Sequence, residues 1–370
     1  MTSTEAFLAL NLLPKIGPIR VRRMLEQFDS PESILKASPK ELARVPGIGT
    51  EMAGLIRDWE SHIDLPEELR RIKEHGIDLV TLEDKNYPPA LREIHDPPFL
   101  LYVKGTILPA DVHAIGIVGS RRTTHYGKEQ ARKMSFQLAR AGLTINSGLA
   151  RGIDTAAHEA ALAAKGRTFA VLGSGIGNVY PPENQNLADQ IAENGAVISE
   201  FPVLYVPDKQ SFPLRNRIVA GMSQALLVVE APARSGSLIT ANQALDQGRS
   251  IFAVPGPIDR PTSEGCNRLI QQGATLVCSA GDILDEMETG YSSLALDFGD
   301  GESPANAKPT IPLTDTEQKA LDMLEGGEFT IDGISEATGL PGPEVSVALL
   351  KLEMKRLVKQ LPGKYFTKLI

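Results

Sequence analysis

The segment AIGIVGSRRTTHYGKEQARKMSFQLARAG, residues 114–142, decides the fold, because a glycine-, serine- and arginine-containing turn joins its short apolar strand to a helical segment. Helical segments separate it from six further apolar segments, which read LTINS, TFAVLG, AVISE, ALLVVE, SIFAVP and ATLVC. Short strands that are apolar throughout and alternate with helices are typical of a parallel sheet covered on both faces. The sequence therefore predicts an α/β fold with a doubly wound Rossmann-type parallel sheet.

The segments before this region predict a helical module. LPKIGPIRVRRML (13–25) and VPGIGTEMAGLI (45–56) each indicate a helix end, a tight glycine turn and a second helix. This pairing is typical of a helix-hairpin-helix, or SAM-like, module, whose turns suit contact with DNA phosphates. Packing alone stays an alternative, because Ile19 replaces the usual second glycine of the first turn and Glu51, not a base, follows the second.

Residues 314–370 predict three helices and a β-hairpin, the order of a winged helix-turn-helix. This segment has 7 basic and 9 acidic residues, and its presumed recognition helix, PGPEVSVALLKLEMKRL, carries Glu344, Ser346 and mostly apolar residues near its start. Protein contact or regulation is therefore favoured over duplex binding. The expected domains are a helical module (1–60), an extended Rossmann-type domain (61–285, core 113–285), a Gly-, Ser- and Pro-rich linker (286–313) and the winged helix (314–370).

Composition and charge restrict the class of protein. The 370 residues are 42% hydrophobic with a net charge of −8, but residues 113–285 hold 16 Lys and Arg against 14 Asp and Glu, so they carry +2 and the rest −10. A polyanion site is therefore expected in this middle region. Without a long apolar run or a basic leader, we expect a cytoplasmic protein with no membrane association. Cys266 and Cys278 are too far apart for a CxxC pair, so we expect two buried thiols and no metal site.

The segments that follow the predicted strands are rich in glycine, serine and arginine. Ligands of a doubly wound sheet bind beyond the carboxyl ends of its strands, where small residues, helix N-termini and arginine forks suit phosphate. Several such segments on one rim predict a row of phosphates rather than one nucleotide. The candidate phosphate-binding residues are Gly119, Ser120, Arg121, Arg122, Ser147, Gly148, Arg151, Gly152, Gly173, Ser174, Asn184, Arg215, Asn216, Arg217 and Ser237.

Cofactor chemistry and catalysis are not favoured. The turn after the first strand lacks the second and third glycines of G-x-G-x-x-G, and the sequence has no G-x-x-x-x-G-K-[ST] loop. Possible acids and bases are present, but simpler roles are favoured: Asp154 as a helix cap or a partner of loop N–H groups, and His158 as a packed or surface histidine. We therefore expect no cofactor and no catalytic residue. The other possible acids and bases are Glu183, Glu200, Glu230 and His125.

Seven motifs in order carry a family resemblance: GIVGSRRTTHYG, SGLARGIDTAAHEAAL, GSGIGNVYPPEN, ISEFP, FPLRNRIVAGMS, SGSLITANQAL and FAVPGPIDRPTSEGCNRLIQQGA. Together they closely resemble the DprA/Smf family, the DNA-processing proteins of bacterial natural transformation. The resemblance implies that the protein binds and protects single-stranded DNA and helps to load the recombinase RecA onto it against single-strand-binding protein, without catalytic turnover. It also implies phosphate contacts by Gly119, Ser120 and Arg121, by residues 147–152, and by residues 215–217.

Two further sets of residues are candidates for contacts with partners. Tyr180 and Phe212 are candidates for base stacking, although an aromatic residue beside a proline is as often a packing anchor. The resemblance implies a homodimer formed through the far end of the Rossmann domain. Leu269, Ile270 and Leu276 lie in that part of the sequence and form either an apolar dimer patch or part of the core.

A nucleotide-binding hydrolase is the alternative function. Phosphoribohydrolases that resemble plant cytokinin-activating enzymes share a related sheet fold, with a PGGxGT loop followed by a catalytic glutamate. The comparable segment, APARSGSLITANQAL, has no acid before Asp246. Cleavage of a glycosidic bond would therefore lack an obvious acid or base.

Overall fold

The computed structural model describes residues 1–287, 314–324, 327, 329–355, 357–361 and 365–368. The chain divides into two compact units, 1–296 and 297–370. The predicted linker, 286–313, lies outside the described residues except for its first two positions. The predicted domain boundaries stay predictions.

Nine strands form one sheet in the first unit, in the order β1-β2-β6-β5-β4-β3-β7-β8-β9. The seven strands from β3 to β9 are mutually parallel and correspond to the seven predicted apolar segments. The predicted fold class is thus confirmed, and the antiparallel strands β1 and β2 extend the sheet beside β6. The bounds are β1 Asp78–Thr81, β2 Leu100–Gly105, β3 Ala114–Val118, β4 Thr144–Ser147, β5 Thr168–Leu172, β6 Gly195–Ser199, β7 Ala225–Val228, β8 Ser250–Ala253 and β9 Thr275–Leu276.

Helices cover both faces of this sheet because successive strand residues point to opposite sides. In β5, Ala170 and Leu172 face one side, while Phe169 and Val171 face the other. Helices α8, α9 and α14 pack on the first side of the sheet and α11 and α12 on the second. The bounds of the helices between residues 89 and 286 are α7 Pro89–Arg92, α8 His125–Arg140, α9 Ile153–Ala163, α10 Gln185–Asn194, α11 Ser211–Gly221, α12 Gly236–Asp246, α13 Glu264–Gln271 and α14 Ala280–Glu286.

The N-terminal helices share a hydrophobic core with the sheet. The rings of Phe7 and Phe99 lie 6.0 Å apart, and the Asn11 amide donates to the backbone oxygen of Glu200 while accepting from the Tyr102 hydroxyl. The helical part therefore covers the flank of the sheet formed by β2, β6 and β5. The bounds of its helices are α1 Ser3–Leu12, α2 Pro18–Phe28, α3 Pro31–Lys36, α4 Pro39–Leu42, α5 Thr50–Arg57 and α6 Leu65–Glu74.

The second unit is a winged helix, as predicted. Three helices surround a small core that contains Leu321, Ile334 and Leu352, and a three-stranded sheet has the order β10-β12-β11. β11 and β12 pair antiparallel and form the predicted hairpin. The bounds are α15 Asp315–Met323, α16 Ile331–Thr338, α17 Gly342–Met354, β10 Phe329–Thr330, β11 Val358–Leu361 and β12 Tyr365–Lys368.

The two cysteines differ in exposure. Cys266 is buried, as predicted, but Cys278 is exposed, and the prediction for it is wrong. Cys278 lies just beyond β9, which is the edge strand of the sheet among the residues that the structure describes. None of the described helices is long and apolar enough to cross a membrane.

Candidate functional site

A depression lies at the carboxyl ends of β3, β4 and β5, where the loops after these strands meet α11. Six of its lining residues were predicted from the sequence as phosphate-binding or base-stacking residues. The lining consists of Arg121, Gly148, Ala150, Arg151, Tyr180, Pro181, Phe212 and Arg215.

Phe212 is the aromatic centre of the depression. The Arg121 guanidinium lies over its ring, 5.0 Å from the centroid, and the Tyr180 ring lies 5.9 Å away at an angle of 51°. Gly173 lies beside this ring, and a Cβ atom at that position would stand 3.0 Å from it. The depression therefore combines exposed aromatic surface with a cation held by a cation–π contact.

Arg215 lies beneath the depression and is 5% exposed. It donates through Nη1 to the backbone oxygens of Gly148 and Val171 and through Nε to Asn216 Oδ1. Burial lowers the pKa of Arg215 to about 10, against the charge of Asp154. A Cβ atom on Gly148 would lie 2.3 Å from Nη1, so this close approach requires glycine.

Asp154 holds the loop after β4 from below. Its Oδ2 accepts from the backbone N–H groups of Gly148 (3.2 Å) and Ala150 (3.3 Å), which is one of the two roles expected for it. Burial raises the pKa of this carboxyl, while Arg215 and the N–H donors oppose the shift. Gly152 follows with φ +84°, and a Cβ atom there would lie 2.3 Å from the Ser120 oxygen.

Glu230 holds the turn after β3, a role that the sequence did not reveal. Its carboxylate accepts from the Thr123 hydroxyl, from the Thr124 hydroxyl (2.9 Å) and from the Thr124 N–H (2.8 Å). The register of β7 against β3 is what indicates this role. Glu230 comes two residues after Val228, which pairs with Val118 at the end of β3, so it lies beside the turn that follows β3. That signal requires the strand order and is not readable from the sequence alone.

Several backbone N–H groups of these loops already have partners within the chain. The N–H of Ser120 donates to the Glu230 backbone oxygen (2.7 Å) and that of Arg122 to Ser120 Oγ (3.1 Å). Because Asp154 takes the N–H groups of Gly148 and Ala150, the predicted backbone contacts to phosphate at Ser120 and Gly148 are not favoured. Arginine side chains are then the main groups that can bind an anion here.

Arg217 does not line the depression, in contrast to the sequence-based expectation. It is 4% exposed and forms ion pairs with Glu200 (2.5 Å) and Asp96 (3.3 Å). Residues two positions apart in an α-helix are separated by about 200° around the helix axis, so Arg215 and Arg217 lie on opposite sides of α11. Its charge is already compensated inside the protein, and we no longer assign it a phosphate contact.

Four other predicted residues are buried. Ser147 Oγ donates to the Ile117 oxygen and Asn184 donates to the Leu149 oxygen. Ser174 is buried, and Ser237 is buried with its hydroxyl against that of Ser235. These four do not line the depression. Gly119, Ser120, Arg122, Gly152, Gly173 and Asn216 lie in the loops or helix that carry the lining residues without being part of the lining.

Arg151 lies at the edge of the depression in an ion pair with Glu183. Both side chains are about half exposed. The hydrogen bond from Arg151 lowers the pKa of Glu183, and the same bond raises that of Arg151. Within residues 1–287, Arg151 and Arg217 form ion pairs, whereas Arg121 and Arg122 form none.

His158 is a packed histidine. The Thr168 hydroxyl donates to the Ile145 oxygen and therefore accepts from His158 Nδ1, 2.7 Å away. Burial lowers the pKa of His158 to about 3, so the ring is neutral at pH 7. In the described part of the chain, no group of three or more His, Cys, Asp or Glu side chains could hold a metal ion.

The three residues expected at a dimer surface differ in exposure. Leu269 is 5% exposed and belongs to the core beneath α12, Ile270 is partly buried, and Leu276 is 48% exposed. A second depression between α12 and α13 includes Leu269 in its lining. Leu276 is thus the member of the set that is open to a partner.

Most basic residues of the helical hairpins form hydrogen bonds or ion pairs within the module. Arg20 donates to the backbone oxygens of Lys15 and Gly47, and Arg23 donates to that of Pro46. Lys15 forms an ion pair with Glu51 at 3.3 Å. These contacts favour packing, the alternative left open for these turns.

Known proteins resemble this chain over most of its length. The family model described as DNA recombination-mediator protein A matches residues 78–288, the DprA winged helix domain matches 304–364, and the SAM-like helix-hairpin-helix tandem matches 7–58. Protein Smf from Synechocystis sp. is 36% identical over 389 aligned positions, which cover 98% of each chain. DNA processing protein DprA from Bacillus subtilis is 45% identical over 274 positions, covering 71% of this chain and 92% of the relative.

Solved structures agree with these relatives. DNA processing protein A from Streptococcus pneumoniae has a TM-score of 0.69 at 35% identity and covers 77% of this chain and 98% of its own. DNA processing protein A from Helicobacter pylori, in a structure described by its single-stranded DNA binding mode, has a TM-score of 0.52 at 30% identity and covers 58% and 97%. By domain order, sequence and fold, this chain belongs to the DprA/Smf family of DNA-processing proteins.

Proposed function

We propose that this protein binds single-stranded DNA in the depression at the carboxyl rim of the sheet. The observation that carries the proposal is the arrangement of Arg121 over the Phe212 ring, next to Tyr180 and above the buried Arg215. Base stacking on aromatic rings needs unpaired bases, and arginine forks suit the phosphates between them. The relative from Helicobacter pylori, described by its single-stranded DNA binding mode, supports the same ligand.

The biological role that we propose follows from the family. The protein would protect incoming single strands during natural transformation and load the recombinase RecA onto them in place of single-strand-binding protein, as a homodimer and without catalytic turnover. The carboxylates near the depression support a binding role, because Asp154 is engaged by backbone N–H groups and Glu183 by Arg151.

The geometry does not favour the phosphoribohydrolase alternative. Asp246 ends α12, the helix that begins at Gly236. Ten helical residues separate these positions by about 15 Å, so this acid is remote from the turn that would hold the substrate. An assay for nucleoside monophosphate hydrolysis tests the alternative, and measurable turnover would revive it.

The test of the proposed function compares single-stranded with duplex DNA across a salt series. We expect strong preference for single strands, with log Kd rising linearly with log salt concentration as several counterions are released. Arg121→Ala should weaken binding and reduce the slope by about 0.7, the value for one phosphate contact on a single strand. Fluorescence anisotropy with oligothymidylate and a hairpin duplex measures both quantities. Equal affinity for the two forms, or an unchanged slope in the variant, would contradict the proposal.

Glu183 should oppose DNA binding, because its carboxylate competes with phosphate for Arg151. We expect Glu183→Gln to raise the affinity for oligothymidylate by about two- to fivefold at low salt, since exposed ion pairs contribute little. The gain should vanish at high salt, where the charge is screened. The matched control is Glu159→Gln, which removes an equal charge from an exposed pair with Arg132 on α8 and α9. Equal gains in the two variants would mean that net charge alone is responsible.

A further inference from the structure

The neighbouring strands β3 and β7 mark the point at which the chain changes direction within the sheet. From β3 the chain proceeds through β4, β5 and β6 on one side and then through β7, β8 and β9 on the other. In doubly wound folds the crevice at this point is the usual place for a ligand. Here the side chain of Glu230, which follows β7, occupies it and is 3% exposed.

Glu230 contacts the turn after β3 at both ends of its arginine pair. Before Arg121, the Ser120 N–H donates to the Glu230 backbone oxygen at 2.7 Å. After Arg122, the hydroxyls of Thr123 and Thr124 and the Thr124 N–H donate to the Glu230 carboxylate. One residue thus fixes the turn on both sides of the two exposed arginines.

The fit around this carboxylate is close. Thr124 is the N-cap of α8, so its N–H lies at the end of the helix where an anion is stabilised by the dipole. A Cβ atom on Gly127 would lie 2.2 Å from Glu230 Oε2, so only glycine leaves room for the carboxylate. The carboxylate therefore occupies the position at the N-terminus of α8 that suits a phosphate.

We propose that Glu230 is a positioning residue for DNA binding: it holds the turn of residues 119–124 so that Arg121 stays over the Phe212 ring and faces the depression. The inference rests on the proposed function, because Arg121 is the group that Glu230 positions. It assigns to Glu230 no contact with DNA. Its effect on affinity must therefore pass through Arg121.

A double-mutant cycle tests this route. Glu230→Ala should weaken oligothymidylate binding about tenfold, and Arg121→Ala/Glu230→Ala should bind no more than about twofold worse than Arg121→Ala alone. Glu230→Gln should restore most of the affinity, because its amide oxygen still accepts from the Thr124 N–H. Thr123→Val removes a single hydroxyl donor and gives the same test with less risk to folding. Independent, multiplicative losses in the cycles would overturn the proposal.

Asp111 provides the matched control for a buried carboxylate. It is 6% exposed, accepts from Thr144 and Arg167, and precedes β3, so it lies at the opposite end of that strand from the turn. Asp111→Asn should combine multiplicatively with Arg121→Ala. If Asp111→Asn shows the same coupling as Glu230→Ala, the coupling reflects general destabilisation and the proposal fails.

Hydrogen exchange separates failure of this inference from failure of the proposed function. Glu230→Ala should raise the exchange rate of the Thr124 amide, which loses its carboxylate acceptor, at least tenfold, while amides within β5 keep their protection. If Arg121→Ala leaves DNA affinity unchanged, the proposed function fails, and faster exchange alone would not rescue the inference. Unchanged exchange of the Thr124 amide would overturn the inference even where Arg121 binds DNA.

Discussion

Replacing Arg215 with alanine is expected to lower the free energy of unfolding by roughly 3 kcal/mol and to weaken single-stranded DNA binding by the folded protein at least tenfold. The first effect arises because the backbone oxygens of Gly148 and Val171 would lose their donors. The nearby buried Asp154 would also lose the positive charge that now opposes the rise in its pKa. Urea denaturation measures the stability, and anisotropy at a protein concentration corrected for the folded fraction measures the affinity.

Two further variants sharpen this test. Arg215→Ala/Asp154→Asn should be more stable than the sum of the single changes predicts, because it removes both buried charges. Arg217→Ala should also destabilise the protein, since Glu200 and Asp96 would lose their cationic partner. The DNA affinity of its folded fraction should stay unchanged. If Arg217→Ala weakens DNA binding as much as Arg215→Ala does, then the assignment of these two arginines to opposite roles is wrong.

Replacing Phe212 with alanine should weaken oligothymidylate binding by about 1–3 kcal/mol, or roughly 5- to 150-fold. The variant would lose the stacking surface and also the ring that supports Arg121 and contacts Tyr180. Phe212→Leu keeps apolar volume without an aromatic face and should lose nearly as much affinity. Competition binding at fixed salt gives the ratio of dissociation constants.

The control for the aromatic ring is Phe201→Leu. Phe201 stacks on Tyr205 at 4.6 Å in the loop after β6 and does not line the depression. We expect Phe201→Leu to bind oligothymidylate with nearly unchanged affinity. Near-wild-type binding by Phe212→Leu would show that apolar volume is sufficient and would argue against base stacking at this position.

The sequence predicted the strands well because seven of them are short apolar segments with clear turns between them. It did not place β1 and β2 in the sheet, since pairing beside β6 depends on tertiary register rather than on local pattern. The rim residues were found because glycine, serine and arginine cluster after the strands. Local chemistry of this kind is readable without a structure.

The partners of individual rim residues were not readable. Arg215 and Arg217 are two positions apart in one motif, and only the packing of α11 shows that one faces the depression and the other faces Glu200. Glu230 was considered only as a possible acid, whereas its carboxylate accepts from the Thr124 N–H. For Asp154 the sequence favoured two roles, helix cap or partner of loop N–H groups, and only the structure distinguishes the second from the first. Such pairings join segments far apart in the chain, and no periodicity encodes them.

The shared core of the N-terminal helices and the sheet limits how the protein can be divided. A fragment that begins at β1 would expose to water a continuous surface of aromatic and aliphatic side chains, including Phe99, Leu100 and Tyr102. Exposed surface of that kind promotes aggregation during expression. For this reason, attempts to produce the sheet by itself would need replacement of those side chains by polar ones, or the helices supplied as a separate chain.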